Sequence, residues 1–468
     1  MESEIGKIHR ELLEGKSTCA GLVQRKLDEL EQGPYNTANF LLSEYALERA
    51  EQVDRKLKAG EEIGWLEGIP FGVKDVYLLQ GLPAAASSDF LRNYISPYTA
   101  TAIQKLLDQG AIPVVKENCD SFGHGSSTEN TAFGPARNAL DTERVAGGSS
   151  GGSAVNVARG YTVFSIGGDT GGSIRQPAGY NRVFGLKPTY GRISRYGLMA
   201  YASSTDSVGP ISRSLEDIRH LLNVMSGRDV HDQTSFDAPP VPDDIFRTSA
   251  TVRGMKVGYY NNFVDHPDLD PGIRSDFMAL LKRLEDQGAE VLPLDFFDTE
   301  LLVSSYYVIA MAETASNLAR LDGMAYGERI TADTLKEGYA LTRSQNFTEE
   351  TRRRIIGGNQ VLSHGHAEEI YQKARALRDQ ITRSFEKDFA RVDLMVSPVS
   401  PAPPPALGSS LEHPLKMYLS DAYTVGFSLG GLPTLTAPVG TVTGIQITAP
   451  KAEEQRILQF AGMITEIG

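Results

Sequence analysis

A chain of 468 residues is long enough for one large core or for two to three domains. Its 41% hydrophobic and 22% charged content is ordinary for a globular protein, and its longest apolar runs, such as Val163–Ile166, are strand-length and far short of a membrane span. A formal net charge of −13 opposes a stand-alone nucleic-acid binder, which needs a basic surface.

Two cysteines, Cys19 and Cys119, make neither a disulfide framework nor a zinc pattern. The charged N-terminus MESEIGKIHRELLEG lacks the apolar run of a secretory signal, so a reducing cytoplasm is the expected compartment.

Ile5–Leu13 and Leu22–Leu30 carry apolar residues at helical spacing, and Thr37–Lys58 reads as a third surface helix. This part is expected to be scaffold or partner contact. Leu66–Val76 then predicts a turn and a short apolar strand holding Lys74 beside Asp75. A lysine in such a strand is either at an exposed end or buried, and burial requires it to be paired or neutral. Thr99–Gln109, Gly110 and Ala111–Val115 read as helix, glycine stop and strand, and Phe277–Leu294 repeats that grammar. Met255–Tyr260 and Leu394–Ser397 add strands, so the expected class is α/β. Val183–Pro210, rich in Gly, Ser and Pro, reads as loop. Thr234–Asp244 and Ala402–Gly408 are proline-rich loops too short to force a domain boundary.

Val145–Ala178 stands apart. It holds two glycine-flanked serine clusters, Gly147–Ser153 and Gly171-Gly172-Ser173, joined by a small-residue run, Ala154–Ile166, that predicts helix then strand. A serine hydroxyl is a poor nucleophile until a base takes its proton. No histidine lies in the stretch; His124 is the nearest, and the His364/His366 pair lacks carboxylates at metal-ligand spacing. Neither cluster matches the G-x-S-x-G elbow, and Ala154 follows Gly151-Gly152-Ser153 where a phosphate loop needs its lysine. Ser150 and Ser153 are expected to cap and hydrogen-bond locally. A serine–lysine arrangement with neutral Lys74 as base is chemically workable, provided the fold brings Lys74 to the serines.

Gly147–Ser153 followed by Gly168–Ala178, with Gly72-Val73-Lys74-Asp75 upstream, closely resembles the amidase signature family, and the resemblance runs from about Leu13 nearly to the C-terminus. It implies a single amidase domain over 1–468, with a large mixed β-sheet core covered on both faces by α-helices. Residues 1–60 would be an N-terminal helical region and 61–230 the signature core. A peripheral middle segment would span 231–345, and 346–468 would complete the sheet and substrate pocket. It further implies Ser173 as acyl-forming nucleophile, Ser149 as bridging serine on a non-proline cis peptide, and Lys74 as base. The backbone N–H groups of Thr170, Gly171, Gly172 and Ser173 would form the oxyanion hole.

Gly125–Pro135, Tyr306–Ala310, Ala312–Gly323, Arg353–Ile355 and Met417–Asp421 look like the family's glutaminase branch, the glutamine-hydrolysing subunits of aminoacyl-tRNA amidotransferases. By that resemblance Arg354 holds the α-carboxylate of glutamine through its fork and Asp421 the α-ammonium, with Ser126, Tyr306 and Tyr307 around them. It implies a heterotrimer with a tRNA-binding kinase subunit, which uses ATP and Mg, and a small stabilising subunit. This chain itself would need no cofactor and no metal. The alternative is a free-standing amidase for small-molecule amides. Ala146 stands where a proline is usual. Cys119, Ser121, Gly123 and His124 depart from the commonest pattern around Asp120, and the segment after Gly440 is compressed.

Overall fold

Strands β1 (Ala38–Leu41), β2 (Pro70–Lys74), β3 (Ile112–Glu117), β4 (Phe164–Asp169), β5 (Phe184–Lys187), β6 (Ser207–Ser212), β7 (Lys256–Tyr260), β8 (Glu290–Leu294), β9 (Leu394–Pro398), β10 (Thr434–Ala437) and β11 (Ile445–Thr448) form one sheet. Their order is β1-β3-β2-β4-β6-β5-β10-β11-β9-β7-β8. The computed structural model describes residues 3–246, 251–365, 367–412 and 414–467; His366 lies outside them. The sheet is mixed. β3, β2 and β4 run parallel toward one end, where β1 closes the edge antiparallel to β3, and β9, β7 and β8 run parallel at the other, with antiparallel pairs between.

Alternation along the strands sorts the two faces, because successive side chains point to opposite sides. Phe164 and Ile166 of β4, Phe184 and Leu186 of β5, and Ile445 and Ile447 of β11 enter the largest core. There they meet Ile218 and Leu222 of the Leu215–Met225 helix and Ile457 and Phe460 of the Glu454–Ile467 helix. The intervening positions are small or polar: Ser165 and Gly167 in β4, Thr434 and Thr436 in β10, Gln446 in β11. Against that face lie two short helices, Gly151–Arg159 and Arg175–Tyr180, whose Ala154, Val157 and Ala178, with Ile174 just ahead of the second, pack with Ile211 as a separate small cluster. The mixed sheet with helices on both faces is the expected architecture. Among the described residues, no helix is long and apolar enough to cross a membrane.

The helix–strand readings at Thr99–Val115, Ala154–Ile166 and Phe277–Leu294 hold, as Thr101–Asp108 with β3, Gly151–Arg159 with β4, and Pro271–Asp286 with β8. Two do not. Thr37–Lys58 is not all helix: β1 occupies its start, pairing with β3, and the helix begins only at Ser43. Val183–Pro210 is not a loop throughout. It opens with β5 and closes in β6, both fully buried in mid-sheet. β6 reads SVGPIS, and glycine and proline are scarce in strand interiors, which is why its composition misleads. Within 231–345, β7 and β8 sit at the sheet edge, while the Thr299–Asn317 helix reaches across to the serine-rich stretch. The compressed segment after Gly440 is a tight turn, with Gly444 N–H donating to Thr441 O, that leads straight into β11.

Candidate active site

Parallel strands β2 and β4 end side by side at Lys74 and Asp169, and beyond a parallel strand's carboxyl end is where α/β folds commonly place ligands. Lys74 is 2% exposed, so the expectation of a strand lysine resolves as buried. Its Nζ lies 2.7 Å from Ser149 Oγ, 3.0 Å from Ser150 Oγ and 3.3 Å from Gly168 O. As an ammonium it donates to all three. As a neutral amine it has two N–H bonds and one lone pair, so one hydroxyl must turn round and donate to it. Burial pushes the Lys74 pKa below the usual lysine range, against the pull of Cys119, Asp120, Asp169 and Asp206. The Gly148–Ser149 peptide bond is cis.

Ser150 and Ser153 do not cap the Gly151–Arg159 helix as expected. Ser150 occupies the N-cap position without a side-chain cap bond, and its hydroxyl meets Lys74 and Gly168 instead. Ser153 Oγ donates to Glu117 Oε2 at 2.5 Å, across to β3. A buried glutamate beside the helix is a better acceptor than a backbone carbonyl that the helix already uses.

Ser173 follows β4 after the turn Thr170-Gly171-Gly172. Its carbonyl accepts from Ser150 N–H at 3.0 Å, which ties the two serine clusters together. Among the described residues no protein group hydrogen-bonds Ser173 Oγ, and no acceptor meets the N–H groups of Thr170, Gly171, Gly172 or Ser173. Four successive free donors beside a free hydroxyl can receive an oxyanion. The turn is held from behind. Thr424 Oγ1 donates to Gly171 O at 2.5 Å, and Thr170 Oγ1 donates to Asp206 Oδ1 at 2.7 Å. Its glycines are required by space: a Cβ on Gly171 would stand 2.5 Å from Tyr306 Cζ, and one on Gly172, at φ +149°, 2.4 Å from Thr424 Oγ1.

Asp169 and Arg175 staple the turn from both ends. Arg175 Nη2 and Nε donate to the Asp169 carboxylate at 2.9 and 3.0 Å with both side chains fully buried, and Arg175 reaches on to Thr424 O and Gln446 Oε1. Burial alone would push the Asp169 carboxyl up, but the charge and hydrogen bonds of Arg175, with Lys187 and the Ile174 N–H, hold it below the usual range. Removing one partner of such a pair strands a buried charge. Arg175→Leu should therefore cost about 3–5 kcal/mol of stability. A urea titration reads this directly, and an unchanged midpoint would show that the pair adds nothing.

A second cluster lies beside the turn. Asp421 is buried and accepts from Ser126 Oγ at 2.9 Å on each carboxylate oxygen and from Tyr307 Oη at 2.7 Å. Burial raises its pKa to about 6, against the bonds from Tyr307 and Ser126 and the charge of Arg354. Arg354, on the Glu349–Leu362 helix, is 2% exposed, and its guanidinium lies 5.4, 5.2 and 5.7 Å from the rings of Tyr201, Tyr307 and Tyr418. Nε donates to Glu350 at 2.8 Å and Nη1 to Tyr201 Oη at 2.5 Å, while Nη2 is buried without a partner. Two of its five N–H groups are engaged, one on Nε and one on Nη1, which leaves both N–H groups of Nη2 and the second of Nη1 for the two-pronged grip expected of the fork.

The fold therefore gathers Lys74, Ser149, Ser173 and the Thr170–Gly172 turn at one end of the site, and Ser126, Tyr307, Arg354 and Asp421 at the other. Tyr306 lies under Gly171 and Tyr307 bridges Asp421 and Arg354, which separates the roles of the two tyrosines. Sequence reading missed Tyr201, Asp206 and Glu350. Their one advance signal was weak: a carboxylate, Asp206, in a Gly- and Ser-rich segment that otherwise looked like surface loop. His124 supplies no base to the serines. It is buried between Thr351 Oγ1, at 3.1 Å, and Thr314 Oγ1, at 3.3 Å, and burial with the charge of Arg354 keeps it neutral.

The family model described as Amidase matches residues 22–458. The chain belongs to the amidase family. It is similar to a glutamyl-tRNA(Gln) amidotransferase subunit from Deinococcus radiodurans, 42% identical over 470 residues that cover 99% of this chain and 96% of that protein. Among solved structures it resembles the corresponding glutamyl-tRNA(Gln) amidotransferase subunit from Thermotoga maritima, with 33% identity and a TM-score of 0.78 over 95% of this chain and 91% of that one. A structure described as an amidase is 29% identical with a TM-score of 0.81, covering 99% of both chains.

Proposed function

We propose that this chain is the glutaminase subunit of a glutamyl-tRNA(Gln) amidotransferase, hydrolysing glutamine to glutamate and ammonia. The observation that carries the substrate is the orphaned Nη2 of buried Arg354, set beside buried Asp421 with Tyr307 between them. A buried arginine nitrogen without an acceptor is costly to the free protein, and a carboxylate would satisfy it. The neighbouring aspartate would take the ammonium of the same amino acid.

The mechanism follows from the other end of the site. Neutral Lys74 takes the proton of Ser149, and Ser149 takes that of Ser173, as Ser173 Oγ attacks the amide carbon. The Thr170–Ser173 N–H groups receive the oxyanion. The proton returns through Ser149 to the leaving nitrogen, ammonia departs, and water resolves the acyl-enzyme. No hydrogen bond yet joins Ser173 to Ser149, and such links commonly tighten only around substrate. The ammonia passes to a tRNA-binding kinase subunit that uses ATP and Mg2+, with a small stabilising subunit completing a cytoplasmic heterotrimer. Binding of ATP, Mg2+ and tRNA is assigned to the partner subunit, a division of labour that suits this chain's charge of −13. Purified with its co-expressed partners, the chain should support glutamine-dependent amidation of Glu-tRNA(Gln); absence of that product would remove the assignment.

One observation favours the second reading, a free-standing amidase. A mostly apolar cavity of about 250 Å³ adjoins the Lys74 cleft, and Phe122, Leu198 and Met199 line both. That reading requires high turnover of simple amides by the isolated chain.

The ionisation of Asp421 sets a pH test. Its pKa of about 6 means that the ammonium-binding anion is lost as pH falls through that value. Protonation of Lys74, by contrast, slows every amide alike. The ratio of kcat/KM for glutamine to that for butanamide, which has no ammonium, should therefore fall below pH 6, approaching tenfold per unit. A ratio flat from pH 5 to 8 would exclude Asp421 from this role.

A further inference from the structure

We propose that Tyr201 is a positioning residue through which a carboxylate on Arg354 orders the Thr170–Ser173 turn, so that the carboxylate raises turnover and not only affinity. The inference rests on the glutamine reading above and adds a residue and a consequence to it.

Tyr201 is buried and holds both ends of the site. Its hydroxyl accepts from Arg354 Nη1 at 2.5 Å and from Tyr306 Oη at 3.5 Å, and the Tyr306 ring packs against the Gly171 backbone. Its backbone N–H donates to Asp206 Oδ2 at 2.9 Å, and the same carboxylate takes the Thr170 hydroxyl on Oδ1. Two short routes therefore run from the guanidinium to the oxyanion turn, one through Tyr306 and one through Asp206. Both pass through Tyr201. The ring has little freedom of its own, since the His124 imidazole stands edge-on to it at 4.6 Å and Thr314 Oγ1 donates to Tyr201 O at 3.4 Å.

Arg354 is held at Nε and Nη1 and open at Nη2. A carboxylate bound at Nη2 draws the guanidinium toward it within its own plane, and so sets the direction and length of the Nη1–H bond that Tyr201 accepts. Binding energy from a part of the substrate remote from the reacting bond is thereby expressed at the reacting centre, where it appears in kcat.

The probe is 4-aminobutanamide, which is glutamine without its carboxylate. It is assayed against glutamine with the chain and its co-purifying subunits. The native protein should turn over glutamine with a kcat about tenfold or more above that for 4-aminobutanamide, a conservative fraction of what one oxyanion donor is worth. Tyr201→Phe should lower kcat for glutamine about tenfold more than it lowers kcat for 4-aminobutanamide, with KM for glutamine nearly unchanged. A merely structural tyrosine would lower both kcat values by the same factor, and a ground-state binder would raise KM for glutamine alone; either result overturns the inference. Should the variant fail to fold, the native comparison still decides, because equal kcat values for the two amides also overturn it. Hydrolysis of neither amide removes the glutamine reading itself, and this inference with it.

Discussion

Alanine at Ser173 should lower glutamine hydrolysis by about 10⁶-fold, the loss seen when the nucleophile of a serine-based relay is removed while the oxyanion site stays intact. The hydroxyl carries no structural bond among the described residues, so the unfolding midpoint should stay within a few degrees of the native one. Lys74→Met fills the lysine's volume but offers no lone pair, and should cost about 10⁴-fold or more. In the proposed relay the two changes act on one proton path. The double variant should therefore be no slower than Ser173→Ala alone, where independent contributions would multiply. An electrophilic glutamine analogue should label Ser173 in the native chain, as read by intact mass and peptide mapping. Labelling that persists in Ser173→Ala would move the nucleophile elsewhere, and full activity in Lys74→Met would remove the lysine as base.

What the sequence disclosed depended on whether a residue's neighbours in the chain were also its neighbours in space. The glycine-flanked serines and the Ala154–Ile166 run were legible because local spacing defines them. So were the helix–glycine–strand units ending in β3 and β8. Lys74 was legible as an anomaly, a charge in an apolar strand, but its meeting with Ser149 needed the parallel pairing of β2 and β4. β6 was illegible because its glycine and proline argue against a strand, and only its place between β4 and β5 makes those small residues suitable. Tyr201 and Asp206 lay inside that misread segment and were lost with it. Glu350 failed for a different reason. An acidic residue one helical turn before an arginine looks like an ordinary surface pair. Burial of both side chains, against Tyr418 and Tyr201, turns that pair into the anchor that leaves one guanidinium nitrogen free.

That free nitrogen yields the second large effect, a crossed pattern of specificity. Arg354→Met should lower kcat/KM for glutamine on the order of 10²- to 10³-fold, because the substrate carboxylate then enters a buried site without a cation. It should leave 4-aminobutanamide, which has no carboxylate, little changed. Asp421→Asn keeps the shape of the side chain and removes its charge. It should lower glutamine by a similar factor but spare glutaramate, which is glutamine without its ammonium. Arg354→Lys tests geometry apart from charge. A lysine ammonium cannot remain bonded to Glu350 and Tyr201 and also present a planar third donor, so most of the loss should persist. The two ends also act on each other, since Tyr307 donates to Asp421 and lies against Arg354, and the paired variant should lose less than the product of the single losses. Equal losses on glutamine, 4-aminobutanamide and glutaramate in either single variant would show damage to the serine end rather than a change of recognition. Undiminished activity in Arg354→Met would mean that the orphaned nitrogen waits for something other than a substrate carboxylate.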